Sequence, residues 1–217
     1  MVRIPLIAAL LGLAAASAHA LCTSDKVPQA QALLERFINA DCEACWRDPA
    51  TPQAPAGTLA LDWVLPGAQG ENAPLATVAV DEAAERLAFL KKTPPERATS
   101  VASRRAGKGA PLRIALGDAF NDYVGVSMEL KMPGQARWNA WLLLVEQLPA
   151  GVEGSPVPRN LVRGVFRPDW SRPASVLEET RAMRVAEGVR PERLRLVAVL
   201  QDGHGEIRAI TETGCPE

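Results

Sequence analysis

Apolar and polar positions along this chain follow two periods in succession, and the change of period divides the sequence. Residues 32–39, Ala-Leu-Leu-Glu-Arg-Phe-Ile-Asn, read as a first strand. In 58–65, Leu59, Leu61 and Trp63 alternate with Ala60, Asp62 and Val64, the spacing of a strand with two different faces. Pro66-Gly67 ends it. A short third strand is predicted over 75–80. Asp81 is then placed to cap a helix carrying Ala84, Leu87 and Leu90 on one face, with Lys91 and Lys92 in its last turn. Pro94-Pro95 stops the helix, and 96–111 turns polar, small and basic through Arg97, Arg104, Arg105 and Lys108. A linker and domain boundary are expected there.

Beyond Pro111 the period is two almost throughout. Strands are predicted over 112–116, 123–131, 138–147, 160–166, 176–185, 194–201 and 206–213. Val124, Val126, Met128 and Leu130 share one face of the second, Pro133-Gly134 turns the chain after it, and the third is the most apolar. Asp202-Gly203-His204-Gly205 supplies the hairpin connection before the last. Seven short strands in about a hundred residues suit an immunoglobulin-like antiparallel β-sandwich.

The first twenty residues carry a different signal. Arg3 precedes an apolar stretch over 6–16, and Ala18-His19-Ala20 places small residues where a signal peptidase requires them. The expectation is cleavage after Ala20 and a periplasmic or secreted product. That stretch is too short for a membrane span of about 20 residues, and no later apolar run exceeds 140–145. With 47% hydrophobic residues, 23% charged and a formal net charge of −1, the sequence as a whole describes a soluble globular protein. Its 24 Lys and Arg against 25 Asp and Glu exclude a general nucleic-acid binder, which needs an excess of clustered positive charge.

Export bears on the four cysteines, because disulfides are the default in an oxidising compartment. Cys42 and Cys45 form Cys-Glu-Ala-Cys, whereas Cys22 and Cys215 stand near the two ends of the processed chain. Three pairings of four cysteines exist. In the chain-entropy picture a four-residue loop contributes about 2 kcal/mol and a loop of nearly two hundred residues about 5 kcal/mol. Cys22 with Cys215 is therefore the candidate structural clasp, and Cys42 with Cys45 the candidate redox pair.

A strand running into Cys-x-x-Cys over 33–45, a second strand over 58–65 and an all-β C-terminal part together resemble a secreted bacterial family of unknown function that joins a thioredoxin-like N-terminal domain to a β-sandwich. The resemblance covers 33–64 and, more loosely, 111–212. It implies an α+β chain in four parts: a signal peptide over 1–20, a reduced thioredoxin-like domain over 21–95, a linker over 96–111 and an immunoglobulin-like sandwich over 112–217. It also implies that Cys42 is the nucleophile and Cys45 the resolving thiol, with a periplasmic protein thiol or disulfide as partner. Pro49, Pro52 and Pro55 depart from the thioredoxin pattern, since interior prolines break the long helix that normally follows the Cys pair and stabilises its first thiolate. The cis-proline strand that faces the pair in that fold has no clear counterpart here either, since Pro66, Pro74 and Pro94 lack its context.

Other chemistry fails on inventory. Zinc would have to combine the cysteines with His204, the single histidine after residue 20, and copper would have to recruit Met128, Met132 or Met183, which suit a core better. No metal or cofactor is expected. His204 between Gly203 and Gly205 is a poor member of a hydrolytic triad. Ala106-Gly107-Lys108-Gly109 lacks the residues of a phosphate-binding loop. Glu178, Glu179, Asp118 and Asp122 read as solvated charges, and Trp46, Trp63, Trp138, Trp141 and Trp170 as packing residues. Two functions remain: an exported thiol-disulfide exchange protein, or a non-catalytic periplasmic binding or scaffold protein with structural disulfides that presents loops such as 148–159.

Overall fold

The computed structural model describes residues 22–131, 134, 137–170, 172 and 174–215. The expected signal peptide, Met132 and Pro133 lie outside them. The strands are β1 (Cys22–Thr23), β2 (Ala32–Asn39), β3 (Thr58–Leu65), β4 (Ala98–Arg104), β5 (Leu112–Phe120) and β6 (Tyr123–Lys131), followed by β7 (Trp138–Leu148), β8 (Arg159–Phe166), β9 (Val176–Arg184), β10 (Leu194–Asp202) and β11 (Ile207–Glu212). The α-helices are α1 (Glu43–Trp46) and α2 (Glu82–Phe89).

These strands form two sheets. One has the order β11-β10-β7-β8-β3-β2-β4 and the other β1-β5-β6-β9. The expected α+β fold, a reduced thioredoxin-like domain followed by an immunoglobulin-like sandwich, is overturned by this arrangement. Strands from both halves of the sequence share the seven-stranded sheet, where β2 and β3 run parallel and β3 meets β8 with Asp62 opposite Leu161. Among the described residues α-helix is confined to one turn at α1, cut short ahead of Pro49, and eight residues at α2. The fold is β-rich, with sheets stacked in the manner of a sandwich.

β7 explains why the two layers cohere. A strand buried on both faces needs a continuous apolar run, and Ala140-Trp141-Leu142-Leu143-Leu144-Val145 supplies one. Ala140, Leu142 and Leu144 pack with Ile114, Val126, Met128 and Leu130 of the smaller sheet. Trp141, Leu143 and Val145 face the other way, into a core with Leu61, Trp63, Ala83 and Leu87. There Phe37 stacks on Trp63 at 6.0 Å and Trp63 meets Trp141 edge-on at 6.5 Å, both favourable aromatic geometries. Arg86 of α2 enters the same core, where Glu35 accepts from its Nε at 2.8 Å and its Nη2 at 2.9 Å.

Several local expectations change. The presumed linker contains β4, an edge strand antiparallel to β2. Its positions are exposed or partly exposed, so the hydrophobic alternation that marks a half-buried strand is missing. The strand expected over 75–80 is a 3-10 turn, Ala76–Val78. α2 buries Ala83, Arg86 and Leu87, and its N-cap Asp81 makes no side-chain cap bond.

Candidate functional site

The Cys pair sits where β2 leaves the sheet. Asn39 ends that strand, its carbonyl accepting from the Cys42 N–H at 2.9 Å and its Oδ1 from the Asp41 N–H at 2.9 Å. The Asp41 carboxylate accepts in turn from the Ala68 N–H at 2.7 Å and the Gln69 N–H at 3.3 Å, which fastens the Cys loop to the turn after β3. Gly67 permits this approach, because a Cβ there would collide with the Asp41 carboxylate. α1 then makes one turn, with the Cys45 N–H donating to the Cys42 carbonyl at 3.0 Å. Asp48 redirects the chain: its Oδ1 accepts from the Ala50 N–H at 2.8 Å and its carbonyl from Thr51 Oγ1 at 2.7 Å.

Both expected pairings are present as disulfides, Cys42 with Cys45 and Cys22 with Cys215. The second clasps β1 to the C-terminal segment, where Thr23 and Gly214 exchange backbone hydrogen bonds. In the first, Cys42 is 8% exposed, whereas Cys45 is partly exposed and lines an open cleft of about 400 Å³. Arg36, Thr51, Arg97, Ser100 and Arg159 share that lining. The exposure expected of an attacking thiol therefore falls on Cys45. The described residues contain no cis peptide bond.

Beneath the cleft lies a buried ionic network that the sequence did not disclose. Asp62 of β3 is fully buried and accepts from Arg36 Nη2 at 2.6 Å, Arg159 Nη1 at 3.0 Å and the Asn160 N–H at 2.9 Å. Arg159 also donates from Nη2 to the Trp46 carbonyl at 2.7 Å and from Nε to Ser155 Oγ at 2.9 Å. Its guanidinium lies 4.8 Å from the centre of the Trp46 ring, within cation–π range. Burial pulls the Arg159 pKa below the ordinary guanidinium value, Asp62 opposes that shift, and neighbouring Arg36 adds to it. An arginine remains charged under such conditions. Arg36 donates from Nη1 to the Pro52 carbonyl at 3.0 Å, while its buried Nε has no hydrogen-bond partner among the described residues.

Arg36, Asp62 and Arg159 are the site residues that sequence reasoning missed. A signal existed in the charged residues set inside the apolar runs 32–39 and 58–65. A strand pattern does not reveal which charges on different strands will meet.

The two disulfides differ in electrostatic setting. Arg36, Arg97 and Arg159 line the cleft at Cys45, and Asp48 is the single carboxylate in that lining. A second cleft, about 550 Å³, lies at Cys22 and Cys215 and carries Asp118 and Glu192 against Arg195. Cationic surroundings favour a thiolate and acidic ones oppose it.

The remaining candidates are scattered. His204 is exposed at the turn between β10 and β11, and Lys108 is exposed in the loop after β4. Met128 and Met183 are buried in the core between the sheets. Asp118, Asp122 and Glu178 are exposed and Glu179 partly so. Among the described residues no three His, Cys, Asp or Glu side chains group as metal ligands would. The loop 148–159 packs behind the Cys pair: Leu148 joins Trp46 in a small core, and Trp46 Nε1 donates to the Glu153 carbonyl at 2.8 Å.

No known protein family and no curated protein matches this chain. Among solved structures it is similar to a crystal structure of a protein from Agrobacterium tumefaciens, at 10% identity and a TM-score of 0.43, covering 86% of this chain and 93% of that one.

Proposed function

We propose that this is an exported thiol-disulfide exchange protein whose reactive couple is Cys42 and Cys45. The observation that carries the reading is Cys45 at the wall of an open cleft lined by three arginines. A thiolate is the attacking and leaving species in disulfide exchange, and nearby guanidinium groups stabilise it. In the reductive direction a thiolate attacks one sulfur of the pair, the Cys42–Cys45 bond breaks, and the other cysteine leaves as a thiolate. A second thiolate attacks the partner's sulfur in the mixed disulfide. The products are a partner disulfide and two reduced cysteines, so two electrons enter the protein; the reverse sequence oxidises a partner dithiol.

A periplasmic or secreted location accords with this chemistry. It is supported by the two disulfides. A second reading, a non-catalytic binding protein with two structural bridges, is favoured by the burial of Cys42. Turnover separates the two. The protein is expected to accelerate thiol-dependent reduction of a small disulfide-bonded polypeptide such as insulin, and the double variant Cys42→Ser, Cys45→Ser is expected to be inert. Equal rates for the two proteins would support the binding reading.

A further inference from the structure

The charge around Cys45 is lopsided in a way that bears on what it reacts with. Arg36, Arg97 and Arg159 face one carboxylate, Asp48, within the cleft lining. Asp62 lies behind them and is shared between Arg36 and Arg159. The acidic residues of the Cys loop itself are occupied elsewhere: Glu43 pairs with Arg47 at 2.7 Å, and Asp41 holds the backbone of Ala68 and Gln69. Arg97 is exposed, and its guanidinium has no hydrogen-bond or ion-pair partner among the described residues. Arg36, only 4% exposed, retains a buried Nε without a partner. Arg36 and Arg159 are otherwise committed to Asp62 and neighbouring protein groups, so Arg97 is the exposed guanidinium that a ligand can reach.

Resting on the exchange reading above, we propose that the substrate of this couple is a small thiol bearing free carboxylates, a peptide thiol of the glutathione type, and that it attacks Cys45. A volume of about 400 Å³ lies within the range of small-molecule sites, about 300–1,000 Å³. The exposed guanidinium of Arg97 suits a carboxylate, whose two oxygens it can engage through paired donors, while Arg36 and Arg159 add positive charge from beneath. The substrate thiolate bonds to Cys45 Sγ, the Cys42–Cys45 bond breaks, and its electron pair goes to Cys42 Sγ, which leaves as a thiolate and is protonated from solvent. A second substrate thiolate then attacks the substrate sulfur of the mixed disulfide and expels Cys45 as a thiolate. One protein disulfide is reduced and two substrate thiols become one disulfide. This order is the reverse of that implied by the family resemblance, in which Cys42 carries the mixed disulfide. The difference follows from Cys42 being the buried member of the pair.

The test uses the oxidised protein at pH 7 and low salt, with glutathione, uncharged 2-mercaptoethanol and cationic cysteamine as probes. Opening of the Cys42–Cys45 bridge is followed as a rate per unit thiolate, and mixed disulfides trapped by acid are located by peptide mass mapping. Glutathione is expected to outpace cysteamine by about tenfold, with 2-mercaptoethanol between them and the order compressed by salt. The trapped adduct is expected on Cys45. Arg97→Ala is expected to lower the glutathione to 2-mercaptoethanol ratio by about threefold, the effect of one exposed charge pair. Cysteamine equal to or faster than glutathione, or an adduct on Cys42, overturns the proposal while leaving exchange intact. Failure of all three thiols to open the bridge overturns the exchange reading and the proposal with it.

Discussion

Arg159 donates to the carbonyl of Trp46 across 2.7 Å, linking β8 to the single helical turn that carries Cys45. The same guanidinium holds Asp62 of β3 at 3.0 Å, beside the point where β3 meets β8. The Cys loop is thus braced from the middle of the seven-stranded sheet. A long helix is the usual support for such a motif, and Pro49, Pro52 and Pro55 deny it one here.

Asp62 is the keystone of that brace. Asp62→Asn would leave Arg36 and Arg159 buried with no carboxylate between them, and uncoupling a buried ion pair in this way costs about 3–5 kcal/mol. The expected outcome is a loss of that order in unfolding free energy, read from urea denaturation followed by tryptophan fluorescence. Trp46 and Trp63 both lie close enough to report it.

The two disulfides should differ sharply in their effect on stability. Cys22 and Cys215 are 193 residues apart in sequence, and Cys42 and Cys45 only three. Loop-closure entropy then assigns about 5 kcal/mol to the first and about 2 kcal/mol to the second. Paired Cys→Ser variants compared by urea denaturation should show the larger loss for the terminal clasp.

Glu212 gives a pH dependence with a definite sign. Burial raises its pKa above the ordinary 4.5, and the positive charge of Arg195 only partly offsets this. The native state therefore keeps the proton to a higher pH than the unfolded chain does. Its contribution favours folding at low pH and falls away as pH rises from the unfolded value through the raised folded one. Glu212→Gln is expected to raise the Tm at pH 7 and to have little effect at pH 4, a contrast that thermal melts at the two pH values would reveal.

Individual strands were legible, though the fold was not, because burial leaves a mark on sequence. The alternation in 58–65 and 123–131 located β3 and β6 to the residue, and the most apolar run fell on β7, which the structure covers on both faces. β4 left no such mark, since an exposed edge strand gains its place from backbone pairing with β2. The joining of both halves into one sheet was equally silent: it depends on the register of Asp62 with Leu161, which no local period encodes. At the site, spacing singled out these two Cys pairings as candidates among three, and the structure contains both. It did not single out the arginines around Cys45, because Arg36, Arg97 and Arg159 converge from β2, the approach to β4 and β8.

Whether Cys42 and Cys45 are a redox couple is decided by a redox titration of the protein against glutathione and dithiothreitol buffers, with alkylation and mass mapping of all four cysteines at each poise. Cys42 and Cys45 are expected to open as a separate couple between about −120 and −270 mV, the range of thiol-disulfide oxidoreductases, while Cys22–Cys215 stays closed. A Cys42–Cys45 bridge that persists below about −300 mV, or that opens only together with the terminal clasp, would contradict the exchange reading.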